Sequence, residues 1–439
     1  MRKRIWFAVV LAAVCLFAGC SMRTVDEMYC LPKRPESYND LQSVIDSAMV
    51  GLEYCAPLSG ENQQTVQMAD LDGDGIREYL LFAKSGSEMP LQILIFDQTE
   101  DTYVLTDTVE CHGSSFEAVE YVQMDGKGGM ELVVGRQLSG EVLRSASVYT
   151  FIDGHLEQVL TTNYSKILTC DLNDNMLAEL MVIRPGQTDT DNGVAELYSM
   201  DTGTIERSNE AVLSGPADKL KRIITGRLHG GVPAVFVGSS VEESAIITDV
   251  YAIVDGVFTN VSLSNESGTS VQTLRNYYVY ADDIDNDGEV ELPDLITMKP
   301  MESGRSGDRQ YIIRWYAMGA DGSEVNKMYT YHNFVGGWYL QLDGAWASRI
   351  TAVQEGIEYR FYLWDQQYTH ADLVFTVHAF SGQDREKLAL EQNRFVLYKS
   401  ESTVYAAHLE VASGAVSITQ ENLINGFYLI RQDWKTGEM

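Results

Sequence analysis

The stretch Asp70-Leu71-Asp72-Gly73-Asp74-Gly75-Ile76-Arg77-Glu78 places side-chain oxygens at its first, third, fifth and ninth positions and glycine at its sixth. The same frame returns intact as Asp283-Ile284-Asp285-Asn286-Asp287-Gly288-Glu289-Val290-Glu291, and in altered form from Gln123, Asp171 and Gly226. Successive starts lie 53, 48, 55 and 57 residues apart, one period of about 53. A second signal follows each frame by roughly 30 residues: Asp97 with Asp101, then Asp153-Gly154, Asp201-Thr202-Gly203, Asp255-Gly256 and Asp321-Gly322. Such pairs between alternating apolar segments mark tight β-hairpins. A chain carrying both registers is an array of similar units, each of which must bury its faces against neighbours.

Each unit reads as strand, loop, strand, strand, hairpin, strand; in the first these are about residues 65–69, 79–83, 91–96 and 103–109. Four strands in roughly 50 residues make a propeller blade, and ring closure would hide the sheet edges. The expected fold is therefore mainly β: a β-propeller of four-stranded blades, five of them recognisable, over residues 61–332. A β-sandwich with coincidental spacing is the competing fold. Past His332 the hairpin register stops, although residues 338–342, 349–353, 359–364, 373–380 and 404–411 still have strand character. A short helix begins at Thr419-Gln420-Glu421-Asn422, ahead of Trp434. Residues 333–439 are read as a small α+β domain. The alternative is two further blades, since the chain from Thr65 onward has room for about seven units of this period.

Oxygen donors in this spacing suit a hard cation that takes six to eight oxygen ligands at about 2.3–2.6 Å, and calcium is the natural occupant. The side chains of Asp70, Asp72, Asp74 and Glu78, with the Ile76 carbonyl, form one ligand set. Asp283, Asp285, Asp287 and Glu291, with the Glu289 carbonyl, form a second. Asp171, Asn173, Asn175 and Glu179 keep the oxygens of a third, but Met176 stands where glycine eases the turn, so this loop should bind weakly or not at all. In the frame from Gln123 an ammonium, Lys127, takes the fifth position and stands in for the cation; the frame from Gly226 has lost all four acids. The pattern resembles the FG-GAP and VCBS repeats of integrin-type propellers over about residues 65–332. That resemblance implies an aspartate-rich loop holding calcium between the first two strands of a blade. An EF-hand fits less well: strands flank the loop, and Leu81 occupies the twelfth position where an EF-hand has glutamate.

The amino terminus is of another kind. Met1-Arg2-Lys3-Arg4 and the apolar run over residues 5–17 have the basic and hydrophobic regions of a secretory signal. The following Leu16-Phe17-Ala18-Gly19-Cys20 resembles the bacterial lipobox, which implies diacylation of Cys20 and a mature protein held on the outer face of the cytoplasmic membrane. An ordinary signal with a chance Gly-Cys is the alternative. Residues 21–60 read as a polar stalk and one amphipathic helix, with Leu41, Val44, Ile45, Met49 and Leu52 on its apolar face. Cys30, Cys55, Cys111 and Cys170 are left either to form two disulfides or to stay as free thiols.

With 32 basic against 63 acidic residues, the chain carries a formal charge of −31. That charge repels nucleic acid and anionic lipid, so neither is an expected partner. The seven histidines show no zinc-ligand spacing, and no nucleophile elbow, P-loop or dinucleotide fingerprint occurs. Tyr277-Tyr278-Val279-Tyr280 and Trp338-Tyr339 supply aromatic surface, either as a stacking platform or as filling between sheets. The expectation is a lipid-anchored, non-enzymatic binding or scaffold protein whose calcium-stiffened loops face an extracellular protein or glycan. A polysaccharide-active enzyme on the same scaffold and a purely structural envelope protein are the rivals.

Overall fold

The computed structural model describes residues 36–99, 102–138, 143–188, 191–201, 203–241, 245–301, 310–410, 418–431 and 434. The signal region and Cys20, with Cys30, lie outside these residues. Helix α1, Glu36–Ala48, starts two residues before the 38–52 segment that the apolar spacing predicts and stops four residues short of its end, at a turn through Gly51 with φ +84°. No described helix is long and apolar enough to cross a membrane.

The rest of the described chain is mainly β, arranged as six antiparallel sheets of four or five strands. The first sheet joins Glu53–Tyr54, Val66–Ala69, Glu78–Lys84, Leu91–Thr99 and Thr102–Cys111. The second runs through Ser115–Val122, Glu131–Gln137, Arg144–Ile152 and His155–Tyr164, and the third through Lys166–Cys170, Glu179–Arg184, Val194–Asp201 and Thr204–Val212. Leu220–Arg227, Pro233–Ser240, Ile246–Val254 and Val257–Asn260 make the fourth. In each of the first four sheets the nine-residue frame bridges two adjacent strands, and a hairpin closes the last pair. Asp153 and Gly154 take φ of 50° and 85°, and Asp255 and Gly256 of 52° and 77°; two successive positive φ values match the right-handed twist of the strands they join.

Alternation along the strands buries both faces of the inner sheets. Leu132 and Val134 of the second sheet pack toward Leu80 and Phe82 of the first, while Val133 and Val148 pack toward Leu180 and Val182 of the third. Met181 and Ile183 then meet Val235 and Val237 of the fourth sheet, whose Ala234 and Phe236 meet Leu292 and Tyr316 of the fifth. The outer face of the first sheet is covered by α1, with Leu41 and Ile45 against Leu81, Ala83 and Phe96. Among the described residues no hydrophobic cluster joins the first sheet to the fifth or sixth.

The fifth sheet departs from this regularity. It orders Glu291–Thr297, Tyr311–Met318, Glu324–Asn333, Trp338–Leu342 and the late strand Phe427–Leu429. Its leading strand is reduced to one bridge, Asp282 to Glu291. Tyr316 and Ile312 lie on the same face by strand alternation; Tyr316 meets the fourth sheet, and Ile312, with Leu340, meets Phe361 and Phe375 of the sixth. The opposite face, with Ile313, Trp315 and Tyr339, is covered by Ile430 and Trp434. Strand Glu324–Asn333 runs through residue 333, and the strand at 427–429 returns to pair beside Trp338–Leu342. The sixth sheet, Ile350–Glu355 to Thr403–Leu409, shares its core with the fifth. Cys55, Cys111 and Cys170 are free thiols, and Cys111 lies 3.3 Å from the Tyr149 hydroxyl.

Candidate metal centres and the adjoining cleft

The five frames stand in a row. Met130 N–H donates to the Asp70 carbonyl and Ala178 N–H to that of Gln123, tying the first three together. Arg227 then pairs with Asp174 at 2.8 Å, and Val290 N–H donates to the Arg227 carbonyl, extending the row to the fifth. The approach is closest between the first two, where a Cβ on Gly129 would lie 2.2 Å from the Leu71 oxygen. Only glycine fits there.

Within a frame the carboxylates act first as turn builders. Asp70 accepts the N–H groups of Gly73 and Gly75, Asp72 that of Asp74, and Asp74 that of Ile76. Asp285 and Asp287, like Asn173 and Asn175, repeat the scheme, while Asp283 and Asp171 accept the N–H groups of the fifth and sixth positions. The fourth and sixth positions take positive φ in every such loop, so Met176 is held at φ +68° with its side chain 89 % exposed.

The ninth-position glutamate is the structural clamp. Its Oε2 accepts the N–H of the second position in four frames: Leu71 to Glu78 at 2.6 Å, Met124 to Glu131 at 2.7 Å, Leu172 to Glu179 at 2.8 Å and Ile284 to Glu291 at 3.0 Å. The other oxygen separates the frames. In the second, Glu131 Oε1 takes the Thr150 hydroxyl at 3.5 Å, and in the third Glu179 Oε1 takes the Asn173 amide. In the first and fifth, Glu78 and Glu291 are 1 % and 0 % exposed, and Oε1 of each is buried without a donor. The carboxylates of these two glutamates sit with the acids of their own loops. One carboxylate oxygen from each of Asp70, Asp72 and Glu78, and one from each of Asp283, Asp285 and Glu291, lie within 4.8 Å of one another. The fifth-position acids, Asp74 and Asp287, stand outside these groups.

Burial, aided by the neighbouring aspartates, pushes Glu78 up to about 7 and Glu291 up to about 8. A buried glutamate with one oxygen lacking a donor, gathered with two further carboxylates, is what a divalent ion among them would satisfy. The residues present therefore fit such an ion at the first and fifth frames. In the third, the Asn173 amide already fills that role, and in the second the Lys127 ammonium lies 2.9 Å from Asp125.

A cleft of about 360 Å³ adjoins the fifth frame. Asp283, Asp285 and Asn286 form one wall, while Tyr339, Tyr428 and Trp434 supply aromatic surface. Tyr339 and Tyr428 stack at 5.0 Å, and Trp434 lies parallel to His332 at 5.7 Å. Asp282, beside the frame, accepts from Arg431 and from the Trp434 indole, fastening the carboxyl-terminal segment to the loop. Of the aromatics singled out in the sequence, Trp338 is core, packed on Tyr359, Phe361 and Phe427, and Tyr277 packs on Tyr311 and Phe334. Of those five aromatics, Tyr339 alone lines the cleft. The contribution of Tyr428 and Arg431 was invisible beforehand, because they reach the site through a strand some 90 residues later in the chain.

No protein-family model and no curated protein matches the chain. Among solved structures it is similar to a protein from Lactobacillus plantarum, at 13 % identity and TM-score 0.29, over 73 % of this chain and 86 % of that one. It is similar also to the exotype rhamnogalacturonan lyase YesX (11 %, TM-score 0.28, 74 % and 69 % covered) and to a Bacillus licheniformis rhamnogalacturonan lyase (9 %, TM-score 0.30, 66 % and 80 % covered).

Proposed function

We propose that this is an exported binding protein, anchored through lipid on Cys20, whose sheets are blades of an FG-GAP/VCBS-type β-propeller. Calcium held by Asp70, Asp72 and Glu78, and by Asp283, Asp285 and Glu291, stiffens two of its loops. The ligand seat is the cleft beside the fifth frame, and its occupant is an extracellular glycan.

One observation carries this reading: a single loop, 283–291, both gathers three carboxylates, among them the buried Glu291 with an oxygen lacking a donor, and forms the polar wall of a cleft faced by stacked tyrosines. Aromatic rings set against carboxylates and an amide match the apolar faces and hydroxyl edges of sugar rings. A bound ion would draw together acids that otherwise repel, fixing that wall. The test is binding of the full chain to an immobilised glycan panel, with and without chelator. Binding to at least one glycan, weakened about tenfold or more by Tyr428→Ala and by chelation, is expected. Capture of a protein ligand with no glycan bound, or glycan binding indifferent to both changes, contradicts the reading.

A further inference from the structure

The two intact frames differ in one neighbour. In the first, Asp74 Oδ1 accepts the Ile76 N–H, and among the described residues no cationic side chain pairs with Asp70, Asp72, Asp74 or Glu78. In the fifth, Asp287 Oδ1 accepts the Glu289 N–H in the same way, but its Oδ2 is taken by the Lys327 ammonium. Lys327 also lies 2.8 Å from Glu289 and is only 17 % exposed. Its aim comes from a bulge in strand Glu324–Asn333. Trp315 faces Met328 and Tyr316 faces Asn326, which leaves Lys327 as the extra residue. Glu289 is also held by the Gly230 N–H on Oε1 and by His229 on the Oε2 that Lys327 shares, each at 3.1 Å, so the ammonium meets a fixed pair of carboxylates.

We propose that Lys327 is a tethered counter-cation that competes with the divalent ion at the fifth frame, making the first frame the tight site and the fifth a responsive one. The inference rests on the calcium reading above and concerns how the second site is regulated. An ion entering the first frame only relieves repulsion among acids. At the fifth, recruiting Asp287 as the fifth-position ligand means drawing its Oδ2 from Lys327, and the ion feels the ammonium's charge throughout. The second frame shows a related arrangement, with Lys127 standing in the fifth position itself and pairing with Asp125. Because the fifth loop is a wall of the cleft, its occupancy would follow ambient calcium while the first loop stays loaded.

Calcium titration of the full chain, by calorimetry and by terbium luminescence, tests this. Two classes of site are expected, separated by about tenfold or more, equivalent to ~1.4 kcal/mol. Asp70→Asn should remove the tight class and Asp283→Asn the weak one. Lys327→Met should tighten the weak class by about tenfold and leave the tight class unmoved, while Lys327→Arg, which keeps the charge, should behave like the parent. A weak class unchanged in Lys327→Met, or mapping to the first frame, overturns the proposal. Absence of calcium binding in the parent overturns the calcium reading itself, and with it this inference.

Discussion

At the scale of single residues, the ninth-position glutamate has two functions that the frames pull apart. Its Oε2 closes the turn in four frames, and only in the first and fifth is its Oε1 left for an ion. Glu131→Ala leaves the buried Met124 N–H without its acceptor, so urea unfolding should show a loss of about 1–3 kcal/mol, with calcium uptake unchanged. His332 supplies a pH signature of a different origin. Both ring nitrogens are buried without partners, and burial pushes the imidazole down to about 3. The folded chain therefore keeps this histidine neutral at pH values where the unfolded chain protonates it. Its contribution is full above the unfolded value near 6.5, and below that stability falls by up to about 1.4 kcal/mol per pH unit until the folded value is reached. His332→Phe should flatten the stability profile between about pH 6.5 and 3 relative to the parent, as read by denaturant unfolding.

At the scale of elements, the loop outlasts its ligands. Asp171, Asn173 and Asn175 build the same turn as the intact frames although the Asn173 amide fills the place of an ion, and Met176 is forced into positive φ to do so. Met176→Gly removes a strained, exposed side chain and should raise stability by about 1 kcal/mol in thermal unfolding without creating a calcium site. The turn chemistry was legible in the sequence because it is local: Asp-Gly pairs and the 1, 3, 5, 9 spacing each fix a few consecutive dihedrals. The glutamate clamp was legible only as a ligand, since its bond to the second position depends on strand geometry across the turn. Lys327 was not legible at all, because a bulge at its own position, some 40 residues past Asp287, decides where it points. Helix α1 was found by its apolar spacing and misplaced at its ends, where the turn through Gly51 stops it earlier than that spacing suggests.

At the scale of the molecule, repetition explains the first four sheets, whose successive faces interlock through Val133, Met181 and Phe236. The fifth breaks the series by receiving a strand from the far end of the chain and burying Trp315 beneath Trp434. A period can forecast contacts between adjacent units, but pairing across 90 residues leaves no periodic trace. The most direct test is the number of calcium ions bound per chain at saturating free calcium, measured by equilibrium dialysis and atomic emission in the parent and in the Asp70→Ala/Asp283→Ala pair. The account predicts two at saturation, with each occupied site adding about 2.7 kcal/mol of stability at a hundredfold excess over its Kd, and none in the double variant. Zero in the parent, or two in the variant, would contradict it.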